Sequence, residues 1–567
     1  MSRNEIDPIT LAVLEGSLQS AIREMRHVLV RSGRSPIIAI STDFSNSILD
    51  AAGEQVVQGD DQPVHLGSMQ VALKETIRFF EDDLAQGDVI YVNDPTYGGG
   101  HQADMTMFKP VFIDGDLFAW VGNRAHVSDS GGPVAGGYNP LAREIYAEGI
   151  RMCPIKIYER GKIRRDVVTM LLLNLRTPDA HRGDMGAQMG ALGVAERRIR
   201  ELHRSLGAER LRAGFAALLD RGEELARRAI SEIADGTYRG HSAMEDPRGG
   251  PPLEIRSAIT VDSDQIRVDL RGSPQINRYF NSYFGNSISA IYAGMLTVFP
   301  TNIPHNGGVY RCIDIDLGPK GTIVNAVEPS PSSMATSTPF DNIMEAVEAA
   351  LAEAVAERAV AGWSHFCGST FAGLDTRTGE RFSHLSTMSG IGGAGAMWET
   401  DGWSCCSPQC TFGGMRTGNV EEIEFRIPMR INRFELAPNT EGPGRWRGGF
   451  GMALEMEPLE PGTVVSFIGE GLEIPPPGRF VPDGHEDDRA VFSRSIKGQD
   501  GVVRPIVPHS VVDLDPGSAL VSTSPGGGGI GDPLLRDRAA VARDVDNELI
   551  SPERAARVYG YRGGQDG

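Results

Sequence analysis

Two histidines and two aspartates beside glycine-rich or strand-like segments could together hold a divalent metal ion. His101 and Asp104 occur in "YGGGHQAD", His126 in "NRAHVSD" and Asp43 in "STDFS". The His-x-x-Asp spacing lets both side chains reach one ion across a turn, and the preceding glycines let the backbone bend without a Cβ clash. Imidazole and carboxylate ligands at about 2.0–2.2 Å suit Zn²⁺, Mn²⁺ or Fe²⁺, and the residue types do not choose among these ions.

Each of these residues also has a structural interpretation. A single His-x-x-Asp is common, Asp104 could cap a turn, and His126 could be a hydrogen-bonded core histidine. Three of the six cysteines lie in "WSCCSPQC" (Cys405, Cys406, Cys410), without a second CxxC-type pair. We interpret them as structural or incidental thiols. The spacing alone leaves both a four-ligand metal site and purely structural roles open.

Strand ends must position these candidate ligands. "GDVIYVND" is predicted as a strand that leads into the glycine-rich loop, and "KPVFIDGDLFAWVGNRAH" as a hairpin with Asp114-Gly115 as its turn. The segments around His101 and His126 therefore follow strands, and we expect them to lie at the same edge of one sheet. Apolar residues at helical spacing predict helices over 8–30 and 71–80.

The fold class predicted for the chain is α+β, with several layers and β-rich N- and C-terminal parts around a helical middle segment. Residues 164–233 have an amphipathic helical pattern, and the Gly- and Pro-rich stretch 235–252 is interpreted as a boundary. A helix is predicted over 342–361, and glycine-dense turns separate strands in the C-terminal part.

The length of 567 residues exceeds one hydrophobic core of ordinary size, so several domains or layers are expected. We expect three parts: a metal-binding N-terminal domain with a helical segment at 1–235, a mixed α/β region at 236–420, and a β-rich part with a short helical tail at 421–567.

Composition and charge argue against several functional classes. The chain is 40% apolar and 23% charged, as in soluble globular proteins, and its net charge of −20 disfavours binding to nucleic acid or anionic membranes. No apolar run approaches the roughly 18–20 residues of a membrane span. The first residues lack a signal-peptide pattern, so we expect a cytoplasmic protein. Neither "GGGGIG" nor "YGGGHQAD" continues as a P-loop, so nucleotide binding by this chain is not expected.

Several longer motifs, in the family's order, make the chain resemble the B subunits of the hydantoinase/oxoprolinase family. The similar segments are "NDPTYGGGHQADMTMFKPVF", "GNRAHVSDSGG", "AEGIRMCPIKIYERG", "LNLRTPDAHRGDMGAQMGAL", "RWRGGFGM" and "TSPGGGGIGDP". The resemblance implies a metal-containing B subunit that works with a separate A subunit, an actin/hexokinase-like ATPase that binds ATP and Mg. It also implies a heteromeric assembly, a heterotetramer or larger.

The activity that the resemblance implies is ATP-dependent opening of cyclic amides such as hydantoins, 5-oxoproline or lactams. The A subunit would phosphorylate the substrate and the B subunit would complete hydrolysis. Carried onto this chain, the metal ligands would be Asp43, His101, Asp104 and His126. Related complexes carboxylate ketones such as acetone or acetophenone, so the equivalent carboxylase subunit is the alternative. The compact chain favours the hydrolase, and a non-catalytic scaffold for an A subunit is a third hypothesis.

Further polar residues lie in the same motifs. His65 in "QPVHLGSM" and Glu148 in "YAEGIRM" are candidate proton-transfer groups near the metal. Asp94 and Arg124 could position ligands or contact a phosphate-bearing intermediate, or else be a turn-capping Asp and a surface Arg. A structural polar network at the start of a helix is expected for Asn174, Arg176 and Asp184.

Overall fold

The computed structural model describes residues 6–59, 61–65, 67–485 and 488–563. Its first sheet consists of β1 (Phe44–Asp50), β2 (Gln55–Gln58), β3 (Val89–Val92), β4 (Asp104–Ile113), β5 (Asp116–His126), β6 (Ile155–Glu159) and β7 (Lys162–Ile163). These strands lie in the order β2-β1-β5-β4-β3-β6-β7, and all neighbours are antiparallel. The starts of β1 and β4 therefore meet the ends of β3 and β5 at one end of the sheet.

The predicted hairpin is confirmed as β4 and β5. Asp114 and Gly115 have φ angles of 54° and 95°, which is the left-handed pair that a two-residue hairpin turn needs. Alternate residues of the hairpin enter different apolar clusters: Met105 and Met107 join the main core, whereas Phe108 packs in a second cluster. The sheet is therefore covered on both faces.

Helices cover both faces of this sheet, and their bounds are α1 (Pro8–Ser32), α2 (Pro36–Ala39), α3 (Ser68–Phe80), α4 (Arg165–Leu173), α5 (Pro178–Leu206) and α6 (Ala208–Ile230). In α1, Asp7 accepts hydrogen bonds from the first-turn amides and Pro8 occupies the first helical position, which starts the helix where the sequence predicts it. Met69 and Leu73 of α3 pack with Phe108, whereas α5 packs against α1. The helical middle segment is confirmed as α4 to α6.

A second sheet follows in the order β11-β10-β9-β8. Its strands and the helices beside it are β8 (Gly236–Met244), β9 (Leu253–Asp262), β10 (Gln265–Gly272), α7 (Phe284–Leu296), α8 (Gly307–Tyr310), β11 (Ile313–Asp316) and α9 (Thr338–Ala354). The stretch 235–252, which the sequence marks as a boundary, contains β8, where Gly240, Ser242 and Met244 are buried in alternation. Because most buried positions of β8 hold small or polar residues, the sequence does not show the apolar alternation that is typical of a strand.

The helix predicted over 342–361 is observed as α9, which begins at Thr338 and ends at Ala354. Its buried face is acidic, because Asp341, Glu345 and Glu348 all point into the protein. His365 lies between two carboxylates, with Nε2 at 2.9 Å from Glu345 and Nδ1 at 3.0 Å from Glu470. These carboxylates hold the pKa of His365 well above its ordinary value despite burial, so the imidazole is a buried cation.

Two sheets, in the orders β13-β12-β16-β19 and β14-β15-β20-β17-β18, contain the remaining strands. The elements are β12 (Ser369–Asp375), β13 (Glu380–Ser386), α10 (Val420–Arg426), β14 (Met429–Leu436), β15 (Met452–Pro458), β16 (Thr463–Phe467), β17 (Ser493–Lys497), β18 (Val503–Pro505), β19 (Val511–Leu514), β20 (Ala519–Thr523), α11 (Arg538–Asp546) and α12 (Pro552–Tyr559). Helices α11 and α12 form the predicted helical tail. Arg554 of α12 docks the tail through an ion pair with Glu441 at 2.6 Å.

The described residues thus form several sheets with twelve α-helices, which confirms the α+β, multi-layer prediction. The division of the chain at 235 and 420 stays a prediction. Within the described ranges, no helix has the length and apolar character that a membrane crossing requires.

Candidate metal centre

His101, Asp104 and His126 converge at the end of the first sheet, with one ligand atom of each within 4.8 Å of the others. Asp104 opens β4 and His126 closes β5, and the register pairs them directly across the hairpin. His101 lies in the loop from β3 to β4, where its carbonyl accepts a hydrogen bond from the Asp104 amide at 3.0 Å. All three side chains are buried.

The glycines before His101 allow the loop to pass close to the ligands. Gly98 has a φ of 82°, a left-handed conformation that favours glycine. A Cβ on Gly100 would stand 2.5 Å from Oδ2 of Asp104 and 2.7 Å from Cγ2 of Thr336. The close approach to Asp104 is therefore the physical reason for glycine at position 100.

A backbone carbonyl orients the first histidine. Nδ1 of His101 lies 2.7 Å from the carbonyl oxygen of Ser333 and donates its proton there, while Nε2 lies 3.2 Å from Oδ1 of Asp104. In a neutral imidazole, Nε2 then presents a lone pair to a carboxylate, which is repulsive unless a proton or a cation lies between them. Metal-binding histidines commonly donate their other N–H to a carbonyl in this way.

Two buried polar atoms beside His101 have no hydrogen-bond partner among the described residues: Nδ1 of His126 and Oδ2 of Asp104. Nε2 of His126 lies 3.0 Å from Oη of Tyr138. In the tautomer in which Nε2–H donates to Tyr138, Nδ1 carries the free lone pair that a metal requires. Buried acceptors without partners are costly, so this set fits a divalent ion with nitrogen and oxygen ligands.

The pKa shifts of Asp104 and His126, two of the three residues of the triad, support the same fit. Burial lowers the pKa of His126 to about 3, so its imidazole is neutral at physiological pH. Although burial opposes it, the pKa of Asp104 lies well below its ordinary value because of the neighbouring imidazoles of His101 and His65. An ionised Asp104 and a neutral His126 are the protonation states that metal binding needs.

Asp43 and His65 reach the same cavity but lie beside the triad. The backbone carbonyl of Asp43 accepts a hydrogen bond from the His126 amide at 3.0 Å, and burial and the charge of Asp104 raise the pKa of Asp43 to about 7. Nδ1 of His65 lies 2.9 Å from Oγ of Ser45, and Nε2 lies 3.7 Å from Oδ2 of Asp104. The ligand role of Asp43 and the proton-transfer role of His65 stay predictions.

Glu148 contacts a loop rather than the cavity. Its two carboxylate oxygens accept hydrogen bonds from the amides of Ser332 and Ser333 at 2.7 and 2.8 Å. Ser333 is also the residue whose carbonyl orients His101. Burial raises the pKa of Glu148 to about 7, against the effect of both amides. Proton transfer by Glu148 stays a prediction, and its contacts point to a positioning role through Ser333.

The other predicted polar residues have structural partners. Arg124 is fully buried, with Nε and Nη1 each donating at 2.7 Å to Thr106 and Ser68, so the alternative of a surface arginine is wrong. Asp94 caps the turn at Thr96 and pairs with Arg151 at 2.8 Å.

The three polar residues expected to form a network bind separate partners. Asn174 donates to the Met170 carbonyl, Arg176 pairs with Asp129, and Asp184 accepts from the amides of Arg34 and Ser35.

A cavity of about 40 Å³ adjoins the triad and is lined by residues distant in sequence. Sequence reasoning missed Tyr138, Ser333 and the cavity role of Cys410, because nothing in their local patterns signals proximity to His101. Cys410 is buried and free, and burial together with Asp341 raises its thiol pKa well above the ordinary value. A neutral thiol agrees with its interpretation as a structural cysteine.

Comparison with known proteins agrees with the motifs. The Hydantoinase B/oxoprolinase family model matches residues 7–533. Caprolactamase subunit beta of Pseudomonas jessenii is 40% identical over 98% of this chain and 96% of its own length. The crystal structure of ATP-dependent caprolactamase from the same organism superposes with a TM-score of 0.94 at 38% identity, covering 100% of this chain and 98% of that one.

A more distant structure shares the fold alone. Nucleotide-free acetone carboxylase has a TM-score of 0.88 at 19% identity, covering 98% of this chain and 79% of that chain. The match of the family model over most of the chain, together with the 40% identical relative, identifies the protein: it belongs to the Hydantoinase B/oxoprolinase family.

Proposed function

We propose that this chain is the metal-containing B subunit of an ATP-dependent cyclic-amide hydrolase. The observation that supports this most is the buried triad of His101, Asp104 and His126, in a chain 40% identical to a caprolactamase subunit. In this proposal an A-type ATPase partner binds ATP and Mg and phosphorylates the cyclic amide, and this chain completes the hydrolysis. The two chains form a cytoplasmic heteromeric complex, a heterotetramer or larger.

The divalent ion of this proposal is held by His101, Asp104 and His126, with Asp43 as the fourth ligand. Zn²⁺, Mn²⁺ and Fe²⁺ all accept this mixture of imidazole and carboxylate. Bound there, the ion supplies Lewis-acid chemistry and compensates the repulsion between the carboxylates of Asp43 and Asp104. Within the described part of the chain, Nδ1 of His126 and Oδ2 of Asp104 have no hydrogen-bond partner, which supports this assignment.

The residues around the triad supply proton transfer and orientation. Opening of the phosphorylated ring breaks the C–N bond, adds oxygen from water to the carbonyl carbon, leaves a protonated amine and releases inorganic phosphate. Burial lowers the pKa of His65, so its neutral imidazole can accept a proton at Nε2, the atom that faces Asp104. Glu148 fixes the loop whose Ser333 carbonyl orients His101.

Reconstitution with the A-type partner tests the proposal. The isolated chain is expected to open no cyclic amide, and the complex to open one at the expense of ATP. ATP-independent hydrolysis by the isolated chain would contradict the proposed division of labour. A turnover that requires bicarbonate would instead indicate the ketone-carboxylase alternative.

Elemental analysis tests the metal assignment. His101→Ala is expected to lose stoichiometric metal, whereas His27→Ala, which removes an exposed histidine of α1, is expected to retain it. Unchanged metal content in His101→Ala would place any ion elsewhere. Loss of turnover in an Asp43 or His126 variant that still forms the complex would argue against a scaffold role.

A further inference from the structure

The cavity beside the triad is too small for the substrates of the proposed function. Its volume of about 40 Å³ has room for about three water molecules, since one buried water needs about 10–15 Å³ of such space. The ring of a hydantoin, of 5-oxoproline or of a lactam is larger than that. A wall of this cavity must therefore move before a cyclic amide can reach Asp104 and His126.

Segment 407–415 forms one wall of the cavity, to which it contributes Pro408, Cys410, Thr411 and Met415. Its regular structure is a single 3₁₀ turn. The amide and the hydroxyl of Thr411 both donate to the carbonyl of Pro408, at 3.1 and 2.8 Å. Because such hydrogen bonds lie within the segment, it can move as one unit.

Two carboxylates of α9 hold this segment in place. The amide of Cys410 donates to Oδ1 of Asp341 at 2.7 Å, and Nε2 of Gln409 donates to Oε1 of Glu348 at 2.6 Å. Every hydrogen bond between the segment and the rest of the described chain ends on one of these two carboxylates. A displacement of the segment therefore breaks few polar contacts.

The backbone at both ends of the segment suits a hinge. Just before it, Cys405 has a φ of 57°, and towards its end Phe412 and Gly413 have φ angles of 45° and 71°. Left-handed conformations of residues other than glycine are uncommon and cluster at switch regions and ligand clamps. The amides of Cys406 and Arg416, on either side of the segment, donate to backbone carbonyls of other segments at 2.8 and 3.0 Å. The chain on both sides thus stays fixed while the segment turns.

From these observations we propose that segment 407–415 is a gate over the metal centre, with the contacts of Gln409 to Glu348 and of Cys410 to Asp341 as its latch. The proposal deepens the proposed function, because the need for a wider opening rests on a cyclic amide as substrate. With the latch closed, the cavity admits water alone. With the latch open, the gate withdraws one wall of the cavity, and the ring can enter beside the triad.

The reactivity of Cys410 measures this opening, because its thiol belongs to the cavity wall and is buried while the gate is closed. The full-length chain is treated with N-ethylmaleimide under native conditions, and peptide mass spectrometry follows each cysteine. Cys312 is equally buried, at 3% exposure, but does not line the cavity, so its rate serves as the reference for global unfolding. We expect Cys410 to react at least 10-fold faster than Cys312. Equal rates would overturn the proposal.

Variants of the latch test which contacts keep the gate closed. Gln409→Ala is expected to speed the modification of Cys410 at least 10-fold and to leave the rate of Cys312 unchanged. Gln499→Ala, which removes an exposed glutamine far along the chain, is the matched control and should change neither rate. If Gln409→Ala fails to fold, Glu348→Met removes the acceptor of the same contact and keeps the length of the side chain.

A wild-type rate for Cys410 in a folded latch variant would refute the latch, and so would an equal acceleration of Cys410 and Cys312, which indicates global destabilisation. The labelling needs neither ATP, partner nor substrate. It therefore tests the gate separately from the reconstitution that tests the proposed function, and either one can fail while the other holds.

Discussion

Replacing Glu148 with glutamine separates a positioning role from a proton-transfer role. Both carboxylate oxygens of Glu148 accept backbone hydrogen bonds, from Ser332 at 2.7 Å and from Ser333 at 2.8 Å. The Ser333 carbonyl in turn accepts the Nδ1 proton of His101 at 2.7 Å. Glutamine has nearly the same shape but only one acceptor oxygen, so one of the two backbone amides must face an NH₂ group.

The size of the effect follows from these contacts. A buried amide that loses its acceptor costs about 1–3 kcal/mol, and we expect Glu148→Gln to lower the free energy of unfolding by that amount. Loss of an outer partner of a metal-ligating histidine typically costs about 10–100-fold in metal affinity, so we expect a loss of that order. If Glu148 instead transferred protons, turnover would fall about 10²–10⁴-fold while metal affinity stayed unchanged.

The assay combines urea unfolding with a metal titration against a competing chelator, both at pH 8. This pH lies above the pKa of about 7 that burial gives Glu148, so the wild-type side chain is ionised. Glu144→Gln is the matched control, because Glu144 is exposed and its side chain does not cap the following turn. Wild-type metal affinity in Glu148→Gln, together with a large loss of turnover, would refute the positioning argument.

Three further substitutions test buried polar groups. Burial raises the pKa of Asp341 to about 8, so the folded protein retains a proton that the unfolded chain loses above about pH 4. Because of this group, the free energy of unfolding falls as the pH rises from about 4 to about 8. Between pH 5 and 8, the free energy of unfolding of Asp341→Asn should therefore fall less than that of the wild type, by at most about 4 kcal/mol. If urea unfolding showed the same pH dependence for the variant and the wild type, this prediction would be wrong. Tyr138→Phe removes the hydroxyl 3.0 Å from His126 and should weaken metal binding about 10-fold or more in a chelator competition, whereas unchanged affinity would show that the hydroxyl does not orient this imidazole. Arg554→Met leaves Glu441 buried without its partner and should cost about 3–5 kcal/mol in urea unfolding, while the exposed control Glu553→Gln should cost little; equal effects of the two would rule out the ion pair as the anchor of the tail.

Local patterns were sufficient where neighbours in sequence are also neighbours in space. The turn at Asp114-Gly115 predicts the β4–β5 hairpin, and the hairpin register then pairs Asp104 with His126. The start of α1 follows from Asp7 and Pro8. The same reasoning failed for β8 and for the start of α9, where buried serine, glycine and acidic residues do not show the apolar periodicity on which such predictions depend.

The sequence by itself determined the family motifs, the α+β class and the identity of the residues that form the triad. Only the tertiary structure decided how those residues are held. The carbonyl that orients His101 belongs to Ser333, which lies 232 residues further along the chain. The cavity beside the triad combines Val64 with Phe366, Leu385 and Met415, from segments without a shared pattern. Such contacts depend on which buried surfaces pack together, and packing between distant segments leaves no periodic signal in a single sequence.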